Sequence, residues 1–453
     1  MSQVNSPYHR RKHLAEQIDF PVLLWSGKPS PRNFPANIYP FRANSHFLYF
    51  AGVSIPNAAI RLDGEELTLF MDDPSPGSAL WHGIEPTRAE WAEKIGADKH
   101  YAIAELPNYG KDAATLPVQD FATRSLQSEV CNRSLPKTLT GRDLDLARAV
   151  ISLRMRHDEA ALSEMRQAME VSIKAHQAGM EATKQAKTEA EVRAAIEATF
   201  ITHQMSPAYC SIVTVHGEVL HNDRSPHPLN PGDLLLVDAG AETPGGWASD
   251  ITRTWPVSGK FSATQRAIYE VVLGAQKRSI DRIKPGVEYE KIHLEAALAI
   301  AEGLVDLGIL IGEPESLVER DAHALFFPHG IGHLLGLDVH DMEDLGDLAG
   351  YATGRKRSDR FGLRFLRLNR PLESGMVVTI EPGFYQVPGI LNNPQMREKY
   401  KGVVNWEKLA QFADVRGIRI EDDVLVADAR AEVLTAHLDS APDAVEQHLY
   451  TVD

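Results

Sequence analysis

Cysteine is nearly absent from this 453-residue chain: only Cys131 and Cys210 occur. A disulfide framework is therefore excluded and a reducing compartment is expected, with both thiols acting as small buried hydrophobes. Long apolar runs are missing too. The most apolar stretch, 296–312, is interrupted by Glu302 and Asp306, and nothing approaches the ~20 uninterrupted apolar residues that span a bilayer. The first twenty residues carry His9, Arg10, Arg11, Lys12 and His13 with no apolar run behind them. No signal peptide is expected there, and the expected location is cytoplasmic. Positive charge is in deficit, with 47 basic against 62 acidic residues and a formal charge of −15. That sign opposes phosphate binding, so neither nucleic acid nor a membrane is an expected partner.

Hydrophobic residues make up 43% and charged residues 24% of the chain, proportions of an ordinary globular protein long enough for two or three domains. Early in the chain, short extended runs alternate with turn signals. Ala58–Leu62 and Glu66–Met71 flank Asp63-Gly64-Glu65, a hairpin pattern. Further on, Leu162, Met165, Met169 and Ile173 recur at helical spacing as one core-facing stripe. Ser262 and Gln265 form a capping-box pattern before another helix, and a third helix spans about 289–307. Strand-like runs lie at 211–215, 234–238, 250–255, 377–380 and 418–426. The expected class is α+β, with a small α/β domain over residues 1–150 and a larger domain over 151–453.

Chemistry-bearing residues gather at the ends of these runs: Asp238 in LLLVDAG, Asp250 in ASDITRT, His333 in HGIGH, Glu381 in TIEPGFY and Glu421 in GIRIEDD. Each acidic residue taken singly fits a strand-end cap. Together, four buried carboxylates would repel strongly unless positive charge lay between them. Two divalent ions would balance them, and the largely oxygen donor set favours manganese over a thiolate-type zinc site, with cobalt, iron or zinc as other occupants.

The segments DAG…SDITRTWPV, FPHGIGHLLGLDVHD, MVVTIEPGFY and GIRIEDDVLV closely resemble the motifs of the pita-bread metallopeptidases, in the branch of aminopeptidase P and prolidase. YPFRANSHFLYFAG resembles the N-terminal domain of the same branch. The resemblance implies a C-terminal pita-bread catalytic domain behind an α/β N-terminal domain, and a homodimer. It makes Asp238, Asp250, His333, Glu381 and Glu421 the metal ligands. Hydrolysis would follow from attack of a metal-bridging hydroxide, with Glu381 shuttling the proton. His221, His329 and His340 match catalytic, substrate-contacting positions, and Arg419 is expected to orient Glu421 by a charge-assisted hydrogen bond. Gly330, Gly332 and Gly336 would let the backbone pass close to the ions. His216, His227 and His323 remain unassigned.

The resemblance further implies peptides with proline at the second position as substrates. The segment LRFLRLNRPLESGM resembles the prolidase stretch whose arginine holds the substrate carboxylate, which places Arg367 in that role and favours an Xaa-Pro dipeptidase. Alternatively, Arg364, Arg367 and Arg370 form a solvated basic face. An aminopeptidase P acting on longer peptides, a peptidase that reads a free C-terminus, and a non-catalytic binding scaffold are the other readings. The spacing between Asp238 and Asp250 is one residue longer than usual, and a Gly-Gly turn could absorb it.

Overall fold

In the computed structural model, which describes residues 6–450, the chain divides into two units, the first ending at Ala160 and the second beginning at Ala161. The first is built on short apolar strands that turn where glycine permits it. Strand β1 (Val22–Trp25) is wholly buried, and β2 (Ala59–Asp63) and β3 (Glu66–Phe70) form the expected hairpin. Gly64 closes it at φ +59°, a left-handed conformation in which a side chain would be strained. With β4 (Lys99–Tyr101) and β5 (Ala114–Thr115) the strands make one five-stranded sheet in the order β4-β3-β2-β1-β5. Leu23, Trp25, Ala59 and Phe70 pack with Leu106, Ala113, Val118 and Val130 in its core.

The second unit begins on a long helix, Glu159–Thr183, whose Met165 and Met169 are buried, as the helical stripe predicts. Gly179 on that helix lies against Ile196 and Trp255, where a Cβ would meet Ile196 at 2.9 Å. Trp255 is fully buried, and its indole donates to Thr183 Oγ1 at 3.1 Å. Ser262 and Gln265 form a capping box at the head of helix Ala263–Asp281, which packs on helix Tyr289–Asp306. Each fully buried leucine, isoleucine or valine in this core contributes about 1.5–3 kcal/mol.

The strands of this unit are short: β6 (Ser206–Pro207), β7 (Ile212–Thr214), β8 (Leu234–Asp238), β9 (Ala241–Glu242), β10 (Thr252–Pro256), β11 (Val377–Ile380), β12 (Gly383–Tyr385), β13 (Gly417–Arg419), β14 (Asp422–Val426) and β15 (Ala431–Val433). They assemble as β10-β8-β7, β11-β14-β15, β12-β13 and β6-β9. The apolar run 418–426, expected as one strand, is in fact two. Residues 417–419 pair with β12, residues 422–426 pair with β11, and Glu421 stands between them, bridged to Thr252 by its backbone N–H at 3.0 Å. Both halves are equally apolar, so their pattern hides a change of partner. Among the described residues, no helix is long and apolar enough to cross a membrane.

Candidate active site

The strand registers set the site. Asp238 ends β8 opposite Thr252 on β10; Ile380 ends β11 opposite Asp422 on β14; Gly383 on β12 faces Arg419 on β13. Asp250, Glu381 and Glu421 therefore project from the ends of neighbouring strands, and His333 comes from the loop crossing β11 through the Leu334–Val378 bridge. That loop runs tight against the strand: a Cβ at Gly332 would sit 2.1 Å from the Thr379 carbonyl oxygen. Gly336 is as confined, facing the Asp341 carboxylate, and Gly330 faces Leu366.

All ten residues singled out from the sequence line one cavity of about 330 Å³: Asp238, Asp250, His333, Glu381, Glu421, His221, His329, His340, Arg367 and Arg419. Leu220, Pro328, Gly330, Gly332, Arg357 and Phe365 complete its wall. The longer connection between the first two aspartates closes in a turn at Gly246, φ +87°. It leaves Asp238 and Asp250 close enough to share one donor: Tyr209 Oη gives bifurcated contacts of 2.6 and 2.5 Å to their Oδ1 atoms.

Burial is the largest influence on the acidic cluster. It pushes Glu381 up to about 8 and Asp250 up to about 7, and raises Glu421 as well, each reinforced by the other carboxylates and opposed by Arg419. The same burial holds His333 down at about 4 and His329 at about 3, so both imidazoles are neutral. His333 Nδ1–H donates to the Leu334 carbonyl at 2.9 Å, which leaves the Nε2 lone pair inside the site. That lone pair stands 3.4 Å from Asp250 Oδ2 and 3.8 Å from Glu381 Oε1. Lone pairs facing one another in a buried site call for a cation between them. Asp250, His333 and Glu421 each offer a donor atom within 4.8 Å of the others, so the residues present fit divalent ions.

Arg419 departs from its expected role. Its guanidinium bonds the Asp238 carboxylate, and Glu421 is reached only through Thr252, which donates to Glu421 Oε2 at 2.7 Å and accepts from Arg419 Nε at 3.0 Å. The arginine ends β13, two residues before Glu421, and its side chain reaches across the strand ends to Asp238. Arg419 also donates to Tyr385 Oη at 3.2 Å. That hydroxyl lies 2.9 Å from His329 Nε2, and His329 Nδ1 lies 2.7 Å from the Gly330 carbonyl. Both ring nitrogens of His329 are thereby engaged within the protein.

The His340 ring lies tilted against that of His333, centroids 4.1 Å apart, and its Nδ1–H donates to Glu343 Oε2 at 2.7 Å. This bond holds the Glu343 carboxyl down at about 2. Glu343 also pairs with Arg367, so the arginine assigned to a substrate carboxylate already has an internal partner. Of the unassigned histidines, His216 contacts Glu218 at 3.0 Å, His227 contacts Glu189 at 3.1 Å, and His323 is buried. Cys210, expected inside, is exposed beside Tyr209, while Cys131 is buried. Tyr209 and Glu343 lie outside the quoted motifs, while Thr252 and Tyr385 lie within SDITRTWPV and MVVTIEPGFY but carry no assigned role there; the fold brings all four to the site.

Residues 163–428 match the family model of metallopeptidase family M24, and residues 8–117 match that of the aminopeptidase P N-terminal domain. The Xaa-Pro aminopeptidase of Haemophilus influenzae is 33% identical over 92% of this chain and 90% of its own length, and that of Escherichia coli is 31% identical over 96% of each. Among solved structures, zinc-substituted E. coli aminopeptidase P in complex with product superposes with a TM-score of 0.80 at 29% identity, covering 99% of this chain and 98% of that one. The Pseudomonas aeruginosa aminopeptidase PepP gives the same TM-score at 28% identity, over the same shares of the two chains. With its α+β fold, its N-terminal domain and its buried carboxylate–imidazole cluster, this chain belongs to the metallopeptidase family M24, in the aminopeptidase P group.

Proposed function

We propose that the protein is a divalent-metal-dependent Xaa-Pro aminopeptidase that removes the N-terminal residue from peptides with proline at the second position. The observation that carries this reading is the buried cluster of four carboxylates around the neutral, inward-facing His333 Nε2. The Xaa-Pro aminopeptidases named above, similar over nearly the whole chain, support the substrate class. Asp238, Asp250, His333, Glu381 and Glu421 would hold two ions, manganese by the hardness of the donors. Such ions, when bound, acidify water and polarise the scissile carbonyl.

The chain's own groups then divide the remaining work. Glu381, on the cavity wall beside His333, would take up a proton and deliver it to the leaving proline nitrogen. His340, with its Nδ1–H committed to Glu343, offers Nε2 as an acceptor for a substrate N–H. His221, lowered by burial and by Arg419, is a neutral imidazole on the same wall and can donate one N–H to the carbonyl oxygen as charge develops there. His329 and Arg419 act as positioning residues through Tyr385 and Asp238.

A second reading, the Xaa-Pro dipeptidase, rests on Arg367 lining the same cavity. The test compares an Xaa-Pro dipeptide with an Xaa-Pro-Yaa tripeptide, using metal-stripped protein resupplied with manganese and Glu381→Ala as control. Manganese-dependent preference for the tripeptide supports the aminopeptidase. Cleavage of the dipeptide alone makes it a dipeptidase, and hydrolysis of neither, with no manganese bound, leaves a binding scaffold.

A further inference from the structure

Three guanidinium groups line the cavity, and each is bonded to a carboxylate of the chain itself: Arg419 to Asp238, Arg357 to Asp347 at 2.6 Å, and Arg367 to Glu343. The first pair is buried and belongs to the acidic cluster. The other two sit at the mouth, with Arg357 also held by the Leu366 carbonyl at 2.9 Å. Glu343 is the pivotal group here, because it uses both oxygens: Oε1 on Arg367 and Oε2 on His340. It follows Met342, which takes a left-handed φ of +58°, so the backbone turns back sharply to present it.

A substrate carboxylate entering this mouth meets no unpaired guanidinium. To engage Arg367 it must displace Glu343, a partner tethered on the same segment and present at an effective concentration on the order of millimolar. A peptide continuing beyond proline brings no such carboxylate and loses nothing. We propose that Glu343 is a specificity-determining residue that withholds Arg367 from the free carboxylate of an Xaa-Pro dipeptide and so favours peptides extended beyond proline. This rests on the Xaa-Pro reading of the site and adds its length preference. Because Arg367 and Glu343 side chains are 35% and 46% exposed, the effect is modest, about fivefold.

The test uses the metal-loaded full chain with an Xaa-Pro acid and the matching Xaa-Pro amide, which lacks the carboxylate. The variants are Glu343→Gln, which retains an acceptor for His340 Nδ1–H but loses the charge on Arg367, Arg367→Gln, and the double variant. Glu343→Gln is expected to raise the acid-to-amide ratio of kcat/KM about fivefold, through a lower KM for the acid, and the gain should vanish in the double variant. An unchanged ratio in Glu343→Gln, or an equal rise in the double variant, overturns the proposal. Calorimetric Kd values for the same two compounds on the metal-stripped full chain read the masking without turnover. If the unaltered protein cleaves neither compound, the Xaa-Pro reading falls, and the Kd ratio still decides whether Glu343 masks Arg367.

Discussion

The guanidinium of Arg419 closes on the carboxylate of Asp238, 181 positions away in the chain, and the pair is buried. It ties β13 to the end of β8. Through Thr252 it also steadies Glu421, and through Tyr385 it steadies His329. A single cation thus orients three groups that otherwise only repel one another or stand unfixed.

Arg419→Met leaves Asp238 as a buried, uncompensated charge beside other carboxylates. Losing one partner of such a pair costs about 3–5 kcal/mol. The expected result is a clear fall in the melting temperature of the metal-free protein, together with a loss of kcat/KM of about 100-fold after manganese is restored. A variant that melts and turns over like the parent would show that Asp238 needs no organising cation.

Tyr209 donates to two carboxylates at once, and burial with their charges keeps its hydroxyl protonated at any accessible pH. Tyr209→Phe removes that donor with almost no change of volume. Manganese affinity is expected to drop about 10- to 100-fold, as for other orienting partners of metal ligands. Calorimetric titration of the stripped protein reads this directly, and an unaltered Kd would assign the tyrosine a packing role only.

The acidic cluster makes stability depend on pH in a definite direction. Folding raises Asp250 to about 7 and Glu381 to about 8, so the folded protein retains protons that the unfolded chain has released. Stability from these groups is present at lower pH and is lost as pH climbs through 7 to 8. The buried histidines His176, His293, His323, His329 and His333, all lowered to about 4 or about 3, oppose this trend near pH ~6.5, where the unfolded imidazoles still bind protons, and drop out only above pH ~7.5. The melting temperature of metal-free protein should therefore fall between pH ~7.5 and ~8.5, with manganese restoring more at the upper end. A metal-free melting temperature that rises across the window would contradict the picture.

Gly332→Ala would set a Cβ 2.1 Å from the Thr379 carbonyl oxygen, which also accepts from the buried Tyr289 hydroxyl at 2.7 Å. Backbone must move to relieve the clash, and His333 is the next residue. Overpacking of this kind costs about 1–3 kcal/mol. Both the melting temperature and manganese binding should fall together. Retention of full metal affinity would mean that the His333 loop is freer than its contacts indicate.

The motif residues were legible because their chemistry is costly anywhere but at a site: Asp238, Asp250, Glu381 and Glu421 sit where apolar strands end. Ser262 and Gln265 were legible for a local reason, since capping needs only three residues of separation. Tyr209 and Thr252 were not, because a buried tyrosine or threonine is ordinary and their bonds to Asp250 and Glu421 span 41 and 169 positions. The break in 418–426 was hidden for a related reason. Alternation and apolarity report burial, whereas the identity of a strand's neighbour depends on the register of β11 and β12, far away in the chain. Arg419 was read toward its sequence neighbour, when the pleat and strand ends send it to Asp238.

The break at Glu421 has a mechanical side. The chain leaves the β12–β13 pair and enters the β11–β14–β15 sheet at that residue, so the carboxylate sits on the hinge between two independently hydrogen-bonded bodies. An ion held by Glu421 together with Asp250 and His333 would cross-link the two sheets at that point. Stripping the ion would do more than silence chemistry, because it would unpin the hinge, and backbone amides on both sides of residue 421 would exchange faster together while β1–β5 kept their protection.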